Sequence, residues 1–184
     1  VDVSRASYVE CPEILPKSKA VVVLDHHRRS SDTIENASLS YIEPHASSAS
    51  EMVAEILQYF CDGIKIKISE ADAMYAGIMI DTNNFTRTTG VRTFEAAAFL
   101  RKCGVDIIKV KKWFQSDFGT YNKISEIVAN SEIIDDNIAV SIYEKEDSDA
   151  NITCAKAADE LLTISNITAS FVIGKMGDKI CISG

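Results

Sequence analysis

The sequence predicts an α/β fold, in which a larger unit on a parallel sheet is joined by a helical linker to a smaller α/β unit. Three observations carry this. Ala20-Val21-Val22-Val23-Leu24 is an apolar run without alternation, the pattern of a strand buried in a parallel sheet. Four helical patterns follow it, each with start or stop signals. After Gly119 the texture changes to helix, strand, helix and a hairpin-like pair. The larger unit is placed at 1–109, the linker at 110–121 and the smaller unit at 122–184. A chain of 184 residues buries roughly 70% of the surface its unfolded form exposes, enough for a real core.

Each element has local reasons. Ser48 and Glu51 fit the S-x-x-E capping pattern, and Met52, Val53, Ile56, Leu57 and Phe60 follow at helical spacing until Asp62-Gly63. Ser69 and Asp72 open a second helix with Tyr75, Ile78 and Met79 on its apolar face. A third spans about 93–103, with Gly104 at the C′ position. Asp106 caps a fourth that carries Ile107, Val110, Trp113 and Phe114, with Trp113 and Phe114 read as core. The smaller unit reads as a helix near 120–131, a strand at 138–144 and a helix at about 151–164. Strands at 169–175 and 179–183 close it around Gly177-Asp178.

Composition narrows the function. With 19 basic and 27 acidic residues the net charge is −8, and no basic stripe suits a long nucleic acid. A phosphorylated substrate would need positive charge from elsewhere, and metal ions are the obvious source. Five cysteines, an odd count with no C-x-x-C pair, argue against a disulfide framework or zinc knuckle and for a reducing cytosol. No apolar run approaches the ~20 residues of a membrane span, and no signal peptide opens the chain. The start at Val1-Asp2 reads as the middle of something larger.

The chemistry converges on Asp25-His26-His27, placed at the carboxyl end of the apolar strand, where open α/β sheets hold their ligands. Adjacent histidines are expected to point different ways, one toward a metal and the other toward substrate. A neighbouring carboxylate can fix an imidazole tautomer. By themselves these three residues fit a satisfied polar cluster equally well. Asp81 adds weight, because an acid at the negative end of a helix dipole is unfavourable without a cation. Asp2 reads as a third acid at a strand end. Asp2, His26 and Asp81 together form a carboxylate–imidazole set that suits Mn²⁺, with Mg²⁺, Fe²⁺ and Co²⁺ as alternatives. Arg87 and Arg92, which flank Thr88-Thr89-Gly90, are candidates for phosphate contact. So is Ser48 at a helix N-terminus, although capping alone also explains Ser48.

As a set, these residues resemble the DHH phosphoesterase superfamily. The resemblance rests on Asp25-His26-His27 after a strand, on Tyr41-Ile42-Glu43-Pro44 before the serine-rich helix start, and on Asp81-Thr82-x-x-Phe85. Residues 81–98, with Arg92-Thr93-Phe94-Glu95-Ala96-Ala97, look like the membrane-associated cyclic-di-AMP phosphodiesterases within it. The resemblance implies a DHH domain to about residue 110, a linker and a DHHA1-type substrate-binding domain. It also implies hydrolysis of cyclic-di-AMP to the linear dinucleotide 5′-pApA at a site with two Mn²⁺ ions. Asp2 matches an acid shared by both metals, while His26 and Asp81 match further ligands of one. Asp25 matches a supporting acid, and His27 a residue beside the metals or the phosphate.

A cytoplasmic domain of a membrane-anchored protein is also implied, and a homodimer is possible. The family's upstream His-x-x-x-Asp-x-Asp motif and its G-G-G-H substrate loop do not occur in the sequence. This chain alone is therefore expected to bind Mn²⁺ weakly and to turn over little. The competing readings are a nanoRNase/pAp phosphatase, a RecJ-type single-strand exonuclease and a nucleotide-binding module without catalysis. The net charge counts against the exonuclease, which needs a basic groove. Intact Asp25, His26 and Asp81 count against a module that has lost its site.

Overall fold

The computed structural model describes residues 1–60, 64–145 and 149–184. The Asp62-Gly63 helix stop lies outside them. The chain divides into two compact units, Val1–Phe114 and Gln115–Gly184.

In the first unit, β1 (Val22–Asp25) pairs in parallel with β2 (Leu39–Ile42), from Val22 opposite Leu39 to Asp25 opposite Ile42. The Glu43 N–H donates to Asp25 O at 2.9 Å and extends the ladder past the strand end. β1 differs from the expectation of burial on both faces. Val23 and Asp25 are buried, but Val22 is 53% exposed, because β2 alone pairs with it among the described residues and one face is covered. The sequence reading also passed over β2, whose four residues are too few to show a period.

Four helices build the unit's core: α1 (Ala49–Phe60), α2 (Ile68–Asp81), α3 (Val91–Lys102) and α4 (Ile107–Trp113). Ile78, Leu100, Val105 and Val110 are fully buried there, packed with Tyr75 and Met79. Capping explains the helix starts. Ser48 Oγ accepts the Glu51 N–H at 3.0 Å, and Glu51 reaches back to Ser47, whose hydroxyl donates to it at 2.5 Å. Asp106 accepts the N–H groups of Ile108 and Lys109, and Gly104 takes a φ of 104° just past α3.

Two local expectations are corrected. Asp72 does not open α2, since Glu70 caps it by accepting the Lys67 N–H. Asp72 is instead buried, accepting the Asp106 N–H and the Lys109 ammonium, so it ties α2 to α4. Trp113 and Phe114 are half exposed rather than core, because α4 spans only seven residues and turns Val110 inward.

The second unit holds α5 (Phe118–Ala129) and a four-stranded sheet in the order β3 (Glu132–Ile134), β4 (Ile138–Tyr143), β5 (Ala169–Met176), β6 (Lys179–Ser183). β4 and β5 are parallel, so their connection must cross over, and α6 (Ala150–Leu161) provides it. α5 and α6 bury one sheet face. Ser141 and Ser170 each donate a buried hydroxyl to a helix carbonyl, Ile127 O and Ala158 O, which satisfies both polar groups without water. At Gly174 a Cβ would lie 2.5 Å from Cys154 Sγ and 3.1 Å from Cys181 Sγ, so the close packing of α6 on β5 and β6 requires glycine. No helix among the described residues is long and apolar enough to cross a membrane.

Candidate metal centre

β1 delivers Asp25 at its last residue, and His26 and His27 follow where the chain leaves the sheet. His26 Nε2 lies 3.3 Å from Asp2 Oδ1 and 3.6 Å from Asp81 Oδ2. Three segments distant in sequence therefore meet at one imidazole nitrogen. Asp2 lies outside any strand, which corrects its reading as a strand-end acid. Its N–H donates to Leu24 O at 2.7 Å, and its backbone is left-handed at φ 68°. That conformation is uncommon for a residue with a Cβ, and here it accompanies a side chain turned toward His26.

Asp81 is the last residue of α2, and the chain reverses sharply after it. Thr82 is fully buried; its hydroxyl donates to Ile78 O at 2.6 Å and accepts the Phe85 N–H at 2.9 Å. Asn83, Asn84 and Phe85 are all left-handed, and Phe85 stacks on Phe94 of α3. This run fixes the end of α2 and with it the Asp81 carboxylate. Burial pushes the Asp81 carboxyl above its ordinary value. His26 opposes the rise, Asp2 adds to it and His27 opposes it, with burial prevailing.

The histidines do not diverge as expected. Their ring centroids are 4.5 Å apart, and Asp2, His26 and His27 each bring a ligand atom within 4.8 Å of the others. Adjacent side chains can converge here because the residues have left the strand, where alternation would separate them. Asp25 is 1% exposed and accepts from His27 twice through Oδ1, from Nδ1 at 2.7 Å and from the backbone N–H at 3.2 Å. Burial alone would raise the Asp25 carboxyl. The nearby Ser4 hydroxyl and the His27 contacts outweigh burial and hold it below its ordinary value. Ser4, itself buried, forms no hydrogen bond of regular geometry and was missed in the sequence. A serine two residues past Asp2 carries no motif.

The donor set fits a divalent cation. In octahedral coordination, neighbouring donors sit about 3 Å apart, close to the separations of His26 Nε2 from its two carboxylates. Two carboxylates beside the partly buried imidazole of His26 and the exposed one of His27 also form the mixed oxygen and nitrogen set that Mn²⁺ accepts. A hollow of about 410 Å³ opens beside Asp2 and Asp81, lined by Ser50, Val53, Met74 and Gly77 from α1 and α2.

The proposed phosphate contacts do not join this cluster. Ser48 is fully buried and its hydroxyl is engaged by the helix cap. Arg92 forms a two-pronged pair with Glu55, both contacts at 2.7 Å, with Glu43 and Glu51 at 4.0 Å. The Glu55 hydrogen bond raises its pKa despite partial burial, and the guanidinium clamps α3 to α1. The Ser48 hydroxyl is thus engaged by the helix cap and two of the Arg92 nitrogens by Glu55, while Arg92 Nη1 lies 4.0 Å from Glu43. Arg87 is exposed in the loop after α2, outside the cluster.

Residues 1–78 match the model of the DHH family, N-terminal domain. The chain is 40% identical over 178 residues to the cyclic-di-AMP phosphodiesterase GdpP of Geobacillus thermodenitrificans, covering 97% of this chain and 27% of that protein. It is 39% identical over 180 residues to the cyclic-di-AMP phosphodiesterase PdeA of Listeria monocytogenes, covering 98% and 27%. It thus spans about a quarter of the length of these relatives. Among solved structures, an exopolyphosphatase-related protein from Bacteroides fragilis superposes with a TM-score of 0.82 at 20% identity, covering 99% of this chain and 56% of that one. That likeness concerns the fold. The family match therefore concerns residues 1–78, which are similar to the N-terminal domain of the DHH family.

Proposed function

We propose that the protein is a Mn²⁺-dependent phosphodiesterase that hydrolyses cyclic-di-AMP to linear 5′-pApA. The observation that carries this reading is the meeting of Asp2, His26 and Asp81 at one nitrogen, in a chain about 40% identical to two proteins named for that activity. Asp2, His26 and Asp81 would hold the cation. A divalent ion there would supply a water of lowered pKa and positive charge against the phosphate.

The chain's own residues do the rest. Asp25, ionised and buried, accepts a hydrogen bond from His27 Nδ1–H and so holds the tautomer in which Nε2 carries the lone pair. His27 Nε2 can then take the proton released by the attacking water. The water oxygen bonds to phosphorus, the P–O3′ bond breaks and the 3′ oxygen takes a proton from solvent, to which His27 gives up its own, which leaves a 5′-phosphate. The acidic balance of the chain supports a small substrate whose charge is met by cations rather than by a basic groove. In this reading 1–109 is the DHH portion, 110–121 the linker and 122–184 a DHHA1-type substrate-binding domain. The protein acts from the cytoplasmic side of a membrane anchor.

The test is product analysis of cyclic-di-AMP treated with the protein, first stripped by chelator and then reloaded with Mn²⁺ or Zn²⁺. pApA that appears with Mn²⁺ and vanishes on chelation supports the reading. Activity indifferent to chelation, or cleavage confined to long single strands, contradicts it.

A further inference from the structure

We propose that Cys154 and Cys181 form one oxidation site, at which hydrogen peroxide converts the two thiols into a disulfide that ties α6 to β6. Neither cysteine is in a disulfide in the structure; Cys154 is buried on α6 and Cys181 is half-buried on β6.

A glycine brings the pair together. Gly174 and Cys181 are direct cross-strand partners of β5 and β6, so they share one face of the sheet. That face meets α6, because Ser170 and Val172, in step with Gly174 along β5, are buried, and Ser170 donates to Ala158 O. A Cβ at Gly174 would lie 2.5 Å from Cys154 Sγ and 3.1 Å from Cys181 Sγ, with the next atom, Ala150 Cβ, at 3.9 Å. The two sulfurs therefore enter, one from the helix and one from the strand, the space that a side chain at 174 would fill. Cys181 Sγ is held there by its S–H, which donates to Gly174 O at 3.4 Å. A disulfide needs Cβ atoms about 4 Å apart and sulfurs at about 2 Å. Rotation about the Cα–Cβ bonds carries the sulfurs the remaining way. α6, β5 and β6 make this geometry by themselves.

The chemistry takes two steps. The Cys181 sulfur attacks one peroxide oxygen; an S–O bond forms, the O–O bond breaks, and the departing hydroxyl leaves as water with the thiol proton. The Cys154 sulfur then attacks the sulfenic sulfur of Cys181. The S–S bond forms, the S–O bond breaks, and the second hydroxyl leaves as water with the Cys154 proton. Two electrons pass from the thiols to the peroxide, which ends as two waters. The bond closes the loop between positions 154 and 181, which restricts the unfolded chain and stabilises the second unit. Thiol exchange reverses it, so in a reducing compartment it is a transient mark of oxidant rather than a structural staple.

The test exposes the reduced full chain to hydrogen peroxide, alkylates the remaining thiols in denaturant and reads the peptides by mass spectrometry. Cys11 and Cys103, both in the first unit, are internal controls. The expected product is a Cys154–Cys181 linked peptide pair, formed at least about 10-fold faster than any link to Cys11 or Cys103 and reversed by dithiothreitol. The linked chain should unfold at a higher denaturant concentration than the reduced one. Cys154→Ala should leave Cys181 as a sulfenic acid that dimedone traps, and Cys181→Ser should leave Cys154 reduced. Circular dichroism establishes that each variant is folded, and the wild-type linkage needs neither variant. Native protein whose Cys154 and Cys181 both stay alkylatable while Cys11 is oxidised overturns the proposal. So does a Cys154–Cys181 link that forms no faster in the native chain than in the denatured one.

Discussion

Replacing Asp25 with asparagine separates support of the site from support of the fold. The side chain is 1% exposed, and one oxygen accepts both His27 Nδ1 at 2.7 Å and the His27 N–H at 3.2 Å. Asparagine can place its carbonyl oxygen there and keep both bonds, but as neutral ones. A charge-assisted bond contributes about 1.5–3 kcal/mol and a neutral one about 0.5–1.5 kcal/mol, so the imidazole loses roughly 1–1.5 kcal/mol of orientation. That is about a 5- to 12-fold effect by itself. Removing a carboxylate that orients a site imidazole typically costs 10- to 100-fold in metal affinity or activity. We expect Asp25→Asn to weaken Mn²⁺ binding about 10-fold or more, with turnover partly restored by excess Mn²⁺. The amide fills the same space and has no charge to desolvate, so stability should shift by less than about 1 kcal/mol. The assay is Mn²⁺ titration followed by the spin resonance of the free ion, beside thermal unfolding. A folded variant that binds Mn²⁺ as wild type does would refute the reasoning and make Asp25 a structural residue.

Three further outcomes test the packing within each unit. Leu100→Ala, at a fully buried position of the first unit's core, should lower unfolding free energy by about 2–5 kcal/mol in denaturant titrations; a loss under about 1 kcal/mol would mean the core is not closed there. Gly174→Ala should cost about 1–3 kcal/mol by pressing a methyl on Cys154 and Cys181, and Cys154→Ala in the same chain should recover part of it; a neutral single variant contradicts the close approach. Asp72 sits below its ordinary pKa, chiefly because the Lys109 ammonium donates to it. A carboxyl depressed in the folded state contributes stability that is present above the unfolded pKa and is lost as pH falls through the folded value. Asp72→Asn should therefore flatten the acid limb of stability below about pH 4, and an unchanged limb would remove this pair from the account.

What the sequence made legible divides by range. Helix starts at Ser48 and Asp106 and the glycine stop at Gly104 were readable because a cap is made by residues within four positions. The contact of Asp25 with His27 is equally local. His26, Asp81 and Asp2 were readable as chemistry, since each is a ligand type, and Asp81 ends α2 while His26 directly follows β1. Their convergence on one nitrogen is a matter of tertiary fold. Pairs 34 to 37 residues apart were hidden for the same reason: Arg92 with Glu55, and Asp72 with Asp106 and Lys109. Arg92 and Ser48 looked like phosphate ligands because a free arginine and a helix-start serine are chemically able to be. What the pattern could not show is that Glu55 engages two of the Arg92 nitrogens and that the Ser48 hydroxyl accepts the Glu51 N–H. β2 escaped because Leu39-Ser40-Tyr41-Ile42 is short and only partly buried. Trp113 and Phe114 misled because helical spacing indicates a shared face, not what that face meets.

The central claim is that His26 coordinates the cation directly while His27 is held beside it by Asp25. Nuclear modulation of the Mn²⁺ electron spin, in protein whose three histidines carry ¹⁵N, reads that bond without relying on turnover. The account predicts a nitrogen coupling in the wild type that disappears in His26→Ala and persists in His27→Ala and His45→Ala. A coupling that survives His26→Ala, or that is missing from Mn²⁺-loaded wild type, contradicts it.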